Sequence, residues 1–373
     1  MAQIKDIISA FNEAFPPKLA ETWDNVGLQI GDPNASVQKV LLCLELTPRI
    51  VQEAIDCACG LVIAHHPLIF KPLLAVTRQD PVASMLMDML EAGIGLFVAH
   101  TNCDAGTKSI SQYLAHSLKL KRQRFLLPKK HNTAYKLVLY TPESDSDRVV
   151  DALHDAGAGR IGNYHHVSFR AKGTGRFSST EHAKPAIGSA GSSESVREEK
   201  AELIVDDKHL HAVIDALYTQ HPYEEPAFDL YRLENKVNGI NDQFGYGCIG
   251  ELDAPRSLAA FITELKSAWM LNSVRFCGDS AALVQKIAIL NGSGAKFLLD
   301  AKAAGADVFI TGDCSHHDFD GALRYGISLI DAGHYETERC VVDVFADVLQ
   351  SHCATRELSV LKSACMQSPM HAG

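Results

Sequence analysis

No stretch of the 373-residue chain stays apolar long enough to cross a bilayer, and Met1-Ala2-Gln3-Ile4-Lys5 lacks the charged-then-apolar layout of a secretion signal. A cytoplasmic protein without membrane contact is expected. Basic charge is also short. A formal net charge of -10 argues against a nucleic-acid partner, whose phosphates need a broad basic face, but it leaves room for a pocket made locally positive by metal ions. The ten cysteines lack order: Cys57-Ala58-Cys59 misses the two-residue gap of a zinc or redox site, so reduced, mostly buried thiols are expected. What is present is an ordinary globular composition, 46% hydrophobic and 21% charged, over a length that suits two or three domains.

The run Leu61-Val62-Ile63-Ala64 reads as a buried strand of an α/β sheet, and it ends in His65-His66-Pro67. Open α/β sheets place ligands at such strand ends, where the turning backbone lets two consecutive histidines reach one crevice and hold metal. Taken alone, the pair reads equally as one sheet cap and one surface histidine. Around it the pattern predicts a helix from Ile4 to Ala14, a strand from Val40 to Leu44, a helix opened by Thr47-Pro48, a helix over about 82–92 and a strand from Ile94 to Ala99. That third strand leads into His100-Thr101-Asn102-Cys103-Asp104, where Asp104 is a candidate metal carboxylate. His100 is a partner of a ligand or a buried, satisfied histidine. Trp23-Asp24-Asn25 suits a loop over a pocket that stacks or hydrogen-bonds a flat ligand, although a turn with a core Trp is the simpler reading of that stretch alone.

The back of the chain repeats the plan. Strands are expected at 286–290 and 308–310 with a helix from Ala295 to Ala304 between them, and a third strand follows Gly326-Ile327. Two similar strand-helix-strand-helix-strand units would point their strand ends at a shared crevice. The back strands lead into Asp313, His316, His317 and Asp318, and into His334-Tyr335-Glu336-Thr337-Glu338. On a helix, His334 and Glu338 stand at i and i+4, the spacing that grips one metal site; the plain alternative is an acid-rich helix start.

Residues 126–240 differ in character. Two strand-helix-strand patterns suggest an inserted α+β ferredoxin-like domain, with strands at 135–140, 164–171, 201–205 and 227–233 and helices at 146–156 and 207–220. Gly173 to Ser195, rich in Gly, Ser, Thr and Ala, reads as an exposed loop, and His165, His166, His209, His211 and His221 read as surface or interface residues. After about Gln350 only a short helix is expected before the chain frays. The division is thus 1–125 and 241–373 for a split α/β core, with 126–240 inserted.

Ala64-His65-His66-Pro67, Thr101-Asn102-Cys103-Asp104, Thr311-Gly312-Asp313 with His317-Asp318, and Gly333-His334-Tyr335-Glu336-Thr337-Glu338 closely resemble the motifs of the GTP cyclohydrolase 1 type 2 family, also called Nif-three-like proteins. Trp23 to Leu28 matches too. Gly162-Asn163-Tyr164, Gly173-Thr174-Gly175 and His221 to Pro226 resemble the inserted domain of its longer bacterial members. Glu45, Cys103 and His316 depart from the usual pattern without removing a ligand.

The resemblance implies two divalent metal ions per subunit on His65, His66, Asp104, His334 and Glu338. It also implies a toroidal homohexamer and an insert similar to the CutA-like trimeric fold. Zn, Fe, Mn, Co and Ni suit these donors alike. Two such ions with two carboxylates leave a net positive centre that favours a bridging hydroxide and a small anionic substrate, here a nucleotide. Hydrolytic attack at C8 of the guanine ring of GTP is the implied reaction, with His100, Asp313 or His317 as proton carriers. Two other classes remain open: a dinuclear phosphohydrolase acting on another nucleotide or phosphoester, and a non-catalytic metal-binding or regulatory protein.

Overall fold

The computed structural model describes residues 2–129, 134–233, 244–353 and 358–370; part of the expected fraying tail, 354–357, lies outside the described residues. The chain divides into two compact units, Met1–Lys129 with Asp242–Gly373, and Lys130–Asn241. No helix among the described residues is long and apolar enough to cross a membrane. Among the described residues nine cysteines are free thiols, five of them buried.

The first unit holds two mixed sheets. One runs in the order Ser359–Lys362, Lys39–Cys43, Leu61–Ala64, Gly95–Val98, Gly27–Ile30, with its first four strands parallel. The other runs Arg275–Cys277, Ser328–Asp331, Val308–Thr311, Leu283–Ile289, Gly245–Ser257, Lys121–Pro128, and its parallel core is the second to fourth of these. The expected boundary after 125 falls inside Lys121–Pro128, because that strand pairs with Gly245–Ser257 out to Pro128 opposite Gly245.

Both faces of each parallel core are buried, which is why these strands read as unbroken apolar runs. Leu61 and Ile63 enter a core shared with Phe11, Phe97, Phe345, Ile287 and Ile310. Their neighbours Val62 and Ala64 pack instead with Ile50, Val51, Leu86 and Met89 from the helices Pro48–Asp56 and Pro81–Glu91. The second sheet alternates the same way: Ile287, Ile289 and Ile310 face the shared core, while Ala288, Phe309 and Leu329 face the helices Leu298–Ala303 and His316–Tyr325. In-register pairing of Cys43 with Ala64 and of Ala64 with Val98 brings three strand ends level, and each hands the chain to a polar segment. Local signals agree: the Thr47 hydroxyl caps the Ile50 N–H ahead of Pro48, and Ser315 with Asp318 forms a capping box.

The second unit is one antiparallel sheet, Phe228–Leu233, Ala134–Pro142, Ser193–Asp206, Ser168–Ser178, with helices Ser146–Asp155 and Leu210–Gln220 packed through Leu137, Leu139, Leu153, Leu203, Val213 and Leu217. In sequence order the strands stand 4-1-3-2, the ferredoxin-like arrangement. Three expectations are corrected here. The Gly173–Ser195 segment is an exposed loop only over residues 179–192; 173–178 and 193–195 are hairpin strands, in a register that runs from Leu203 opposite Ser168 to Ser193 opposite Ser178. The strand expected from Tyr164 starts at Ser168, since Ile161 and Tyr164 pair across a tight turn and His166 has φ +57°. His221 is buried, donating from Nε2 to the Tyr140 carbonyl at 3.0 Å and accepting from the Tyr223 N–H at Nδ1.

Candidate metal centre

His65 follows directly from the strand Leu61–Ala64 and is fully buried. Its Nδ1 lies 2.8 Å from the Ala99 carbonyl oxygen, which can only accept, so Nδ1 donates and the lone pair sits on Nε2. That Nε2 has no hydrogen-bond partner and lies 3.7 Å from Oδ1 of Asp104. Burial holds the His65 pKa down, to about 3, so the ring is neutral. His66 turns the other way: Nε2 is 2.9 Å from Oε2 of Glu338 and Nδ1 is 3.6 Å from Glu45. Burial opposes its charge, but the hydrogen bonds to Glu338 and Glu45 prevail and raise its pKa to about 10.

Asp104 closes the helical turn Thr101–Asp104, anchored where Asn102 donates to the Phe15 carbonyl at 2.8 Å. Across the crevice, the helix His334–Glu338 stacks its first and last residues one turn apart, with Nε2 of His334 3.0 Å from Oε2 of Glu338. The hydrogen bond to Glu338 raises the His334 pKa to about 9 against its burial. Glu338 itself stays ionised despite burial because His334 and His66 both donate to it, whereas burial and the Glu338 charge push Asp104 upward. Asn291 tempers that repulsion, its amide donating to Asp104 at 2.8 Å and to Glu338 at 3.1 Å.

The approach is close enough to dictate glycine. A Cβ on Gly312 would lie 2.7 Å from the His334 amide nitrogen, and one on Gly292, at φ +63°, would lie 2.3 Å from Oε1 of Glu338. Three overlapping donor groups result, each with ligand atoms within 4.8 Å of one another: His65, Asp104 and Glu338; His66, His334 and Glu338; and His65, His66 and His100. They border a cavity of about 410 Å³ whose other walls include Trp23, Phe297, Tyr246, Lys296 and Glu21.

The residues expected around the site are distributed unevenly. His100 lines the cavity, and its Nδ1 is held 2.8 Å from Asp24. Trp23 also lines it, 57% exposed, with its ring 5.9 Å from Phe70. Asp24 is not a pocket wall: it lies behind His100, also accepting from the Thr101 N–H at 3.0 Å and from its hydroxyl. Burial works against this carboxylate, yet the His100 and Thr101 donors hold its pKa down to about 2. Asn25 does not line the cavity either, because its amide is taken by the Ile69 carbonyl at 2.6 Å. Asp313, at φ +55°, sets its carboxylate 2.6 Å from Nδ1 of His334, the placement of a group that orients that ring. His317 is exposed on the helix His316–Tyr325, outside the cavity, and its ring contact is with His316.

Sequence reading passed over Asn291, Lys296 and the chain in which Tyr246 donates to Glu21 at 2.7 Å while Lys129 pairs with the same oxygen at 2.9 Å. Asn291 follows the parallel strand Leu283–Ile289 by two residues, and that place after a strand, shared with the other donors, is the signal that could have found it.

Curated relatives called "GTP cyclohydrolase 1 type 2 homolog" include one from Halalkalibacterium halodurans, 36% identical over 90% of this chain and 89% of the relative. Another, from Bacillus subtilis, is 34% identical over 95% of this chain and 94% of the relative. Among solved structures, the Bacillus cereus protein related to NIF3 is 33% identical with a TM-score of 0.74, and Staphylococcus aureus protein SA1388 is 29% identical with a TM-score of 0.81; each match covers 100% of this chain and 99% of the other. The model of the Duf34/NIF3 (NGG1p interacting factor 3) family matches residues 2–369, and the chain, with its paired strand-end histidines and its His334–Glu338 turn, belongs to that family.

Proposed function

We propose that the cluster holds two divalent metal ions and that the protein is a metal-dependent hydrolase of a small anionic nucleotide, with opening of the guanine ring of GTP as its reaction. The observation that carries the reading is Nε2 of His65, a buried lone pair with no partner, aimed among two carboxylates and further imidazoles. A buried polar atom left unpaired is costly unless something fills the gap, and a cation suits this donor set. One ion would sit on His65, Asp104 and Glu338 and the other on His66, His334 and Glu338, with Glu338 shared. Bound divalent ions supply Lewis acidity and ionise water at neutral pH.

The chain's own residues supply the rest. His100, its Nδ1 fixed by Asp24, offers Nε2 to the cavity as the proton carrier. Asp313 orients His334 and carries no proton to substrate, and His317 has no part in the step. Trp23 and Phe297 offer flat walls to a heterocycle, and the Lys296 amine offers a cation to its anionic part. The CutA-like character of the insert belongs to the same proposal and is supported by its ferredoxin-like strand order; the homohexamer belongs to it too and is checked by light scattering of the full chain.

The test is GTP turnover by protein of known metal content, following 7,8-dihydroneopterin triphosphate and free phosphate, with His65→Ala and Glu338→Ala as controls. Pterin product lost in both controls supports the proposal. Phosphate alone reassigns the centre to phosphohydrolysis, and no product from fully metallated protein makes it a metal-binding or regulatory site.

A further inference from the structure

The second unit carries a cavity of its own, about 260 Å³, lined by His154, Arg160, Gly162, Asn163, Tyr164, His165 and His166. In a chain of net charge -10 this lining is unusual, because among the described residues it includes no carboxylate. The walls are built, not incidental. His154 lies in the last turn of the helix Ser146–Asp155 and is 6% exposed. Gly159, at φ +72°, lets the chain pass against it: a Cβ there would lie 2.6 Å from Nδ1 of His154. Beyond it, Ile161 and Tyr164 exchange two backbone hydrogen bonds of 2.9 Å and throw Gly162-Asn163 out as a hairpin tip. The chain then turns at His166, whose ring stacks on His154 with centroids 4.8 Å apart and planes 3° from parallel.

Nδ1 of His154, on a largely buried ring, lies 3.3 Å from the Ala158 carbonyl and donates to it, which leaves the lone pair on Nε2. Arg160 is exposed and pairs with no carboxylate among the described residues, and Tyr164, 75% exposed, lines the same cavity. Three histidines line the cavity, but among the described residues they form no group of three ligand atoms within 4.8 Å of one another, as a three-ligand cation site needs.

We propose that this cavity binds the phosphate of a small phosphoester. A singly protonated phosphate matches it atom for atom: its P–OH donates to Nε2 of His154, and its charged oxygens accept from the Arg160 guanidinium and the Asn163 amide. The organic part of the ester packs on Tyr164. No residue of the metal centre takes part, so the inference stands whatever that centre does.

Equilibrium dialysis of the full-length protein against radiolabelled inorganic phosphate and, separately, phenyl phosphate tests it, in the wild type and in Glu338→Ala. Saturable binding that survives Glu338→Ala and weakens about tenfold or more in Arg160→Gln is the expected result. Arg160 is exposed, so that variant keeps its fold; Arg160→Lys restores part of the affinity. Tighter binding of phenyl phosphate assigns the ester, and equal binding assigns free phosphate, as the source of the group. Binding that disappears in Glu338→Ala, is unchanged in Arg160→Gln, or is absent at millimolar concentrations of both probes overturns the proposal.

Discussion

In the metal-free protein His66 and His334 hold their protons because Glu338 lies between them, 2.9 Å from one Nε2 and 3.0 Å from the other. Those same nitrogens are the proposed ligand atoms, and an imidazole must be deprotonated to bind metal. With folded-state values of about 10 for His66 and about 9 for His334, both rings are charged at neutral pH. His65, held down to about 3, is already neutral and contributes nothing. Divalent-ion uptake at neutral pH therefore releases about two histidine protons per chain, and log K rises by about two per pH unit until His334 titrates. Asp104, raised by burial and by Glu338, adds a fraction more. Calorimetric titration with Zn or Mn in buffers of different ionisation enthalpy reads the proton count directly. In Glu338→Gln the charge between the rings is gone and both histidines titrate lower, though Glu45 beside His66 and Asp313 beside His334 still favour their charged forms, so proton release near pH 8 falls below the wild-type count. Linkage gives a companion result: raised histidines stabilise the metal-free fold fully below about pH 6.5, and that contribution is lost as pH climbs through 9 and 10. A proton count of zero in the wild type, or one untouched by Glu338→Gln, refutes the reasoning.

Other consequences are smaller in scope. Asp24→Asn removes an ionised acceptor from His100 and Thr101 and costs about 1–3 kcal/mol in urea titrations near neutral pH. Because the Asp24 pKa is depressed, its charge contributes above about pH 4 and is lost as pH falls through about 2, so the two proteins converge in acid. Asn291→Ala deletes the amide that spans Asp104 and Glu338 and should weaken metal binding about 10- to 100-fold in competition with a chelator, with unchanged circular dichroism. Phe345→Ala empties a fully buried ring site, 5.2 Å from Phe11 and 6.4 Å from His65 between centroids, and should cost about 3–5 kcal/mol in the same denaturant assay.

The strands of the α/β core were legible because burial on both faces forces continuous apolar runs, and Leu61–Ala64 is bounded in the structure as its sequence suggests. The His334–Glu338 turn was legible because i,i+4 spacing is a property of the helix itself. What the sequence hid depends on contacts between distant segments. Nothing near Asp24 announces that its carboxylate is spent on a histidine 76 residues away, and nothing near Asn291 announces that it spans two acids. His317 misled for the opposite reason: it lies close to Asp313 along the chain, but the capped helix that opens after Ser315 carries it outside the cavity. In the second unit, composition marked the loop over residues 179–192 but hid the strand residues on either side of it, because exposed hairpin faces need no apolar alternation.

The strand Ser359–Lys362 closes the first sheet by lying beside Lys39–Cys43, with Ser359 opposite Lys39. During synthesis the front of that sheet must therefore wait, one edge open, for nearly the whole chain to leave the ribosome. Asp104 likewise precedes Glu338 by on the order of tens of seconds at usual elongation rates. Throughout that interval His65, His66 and Asp104 lack the carboxylate that completes the proposed site, so on that proposal metal selection belongs to the folded chain and not to the nascent one.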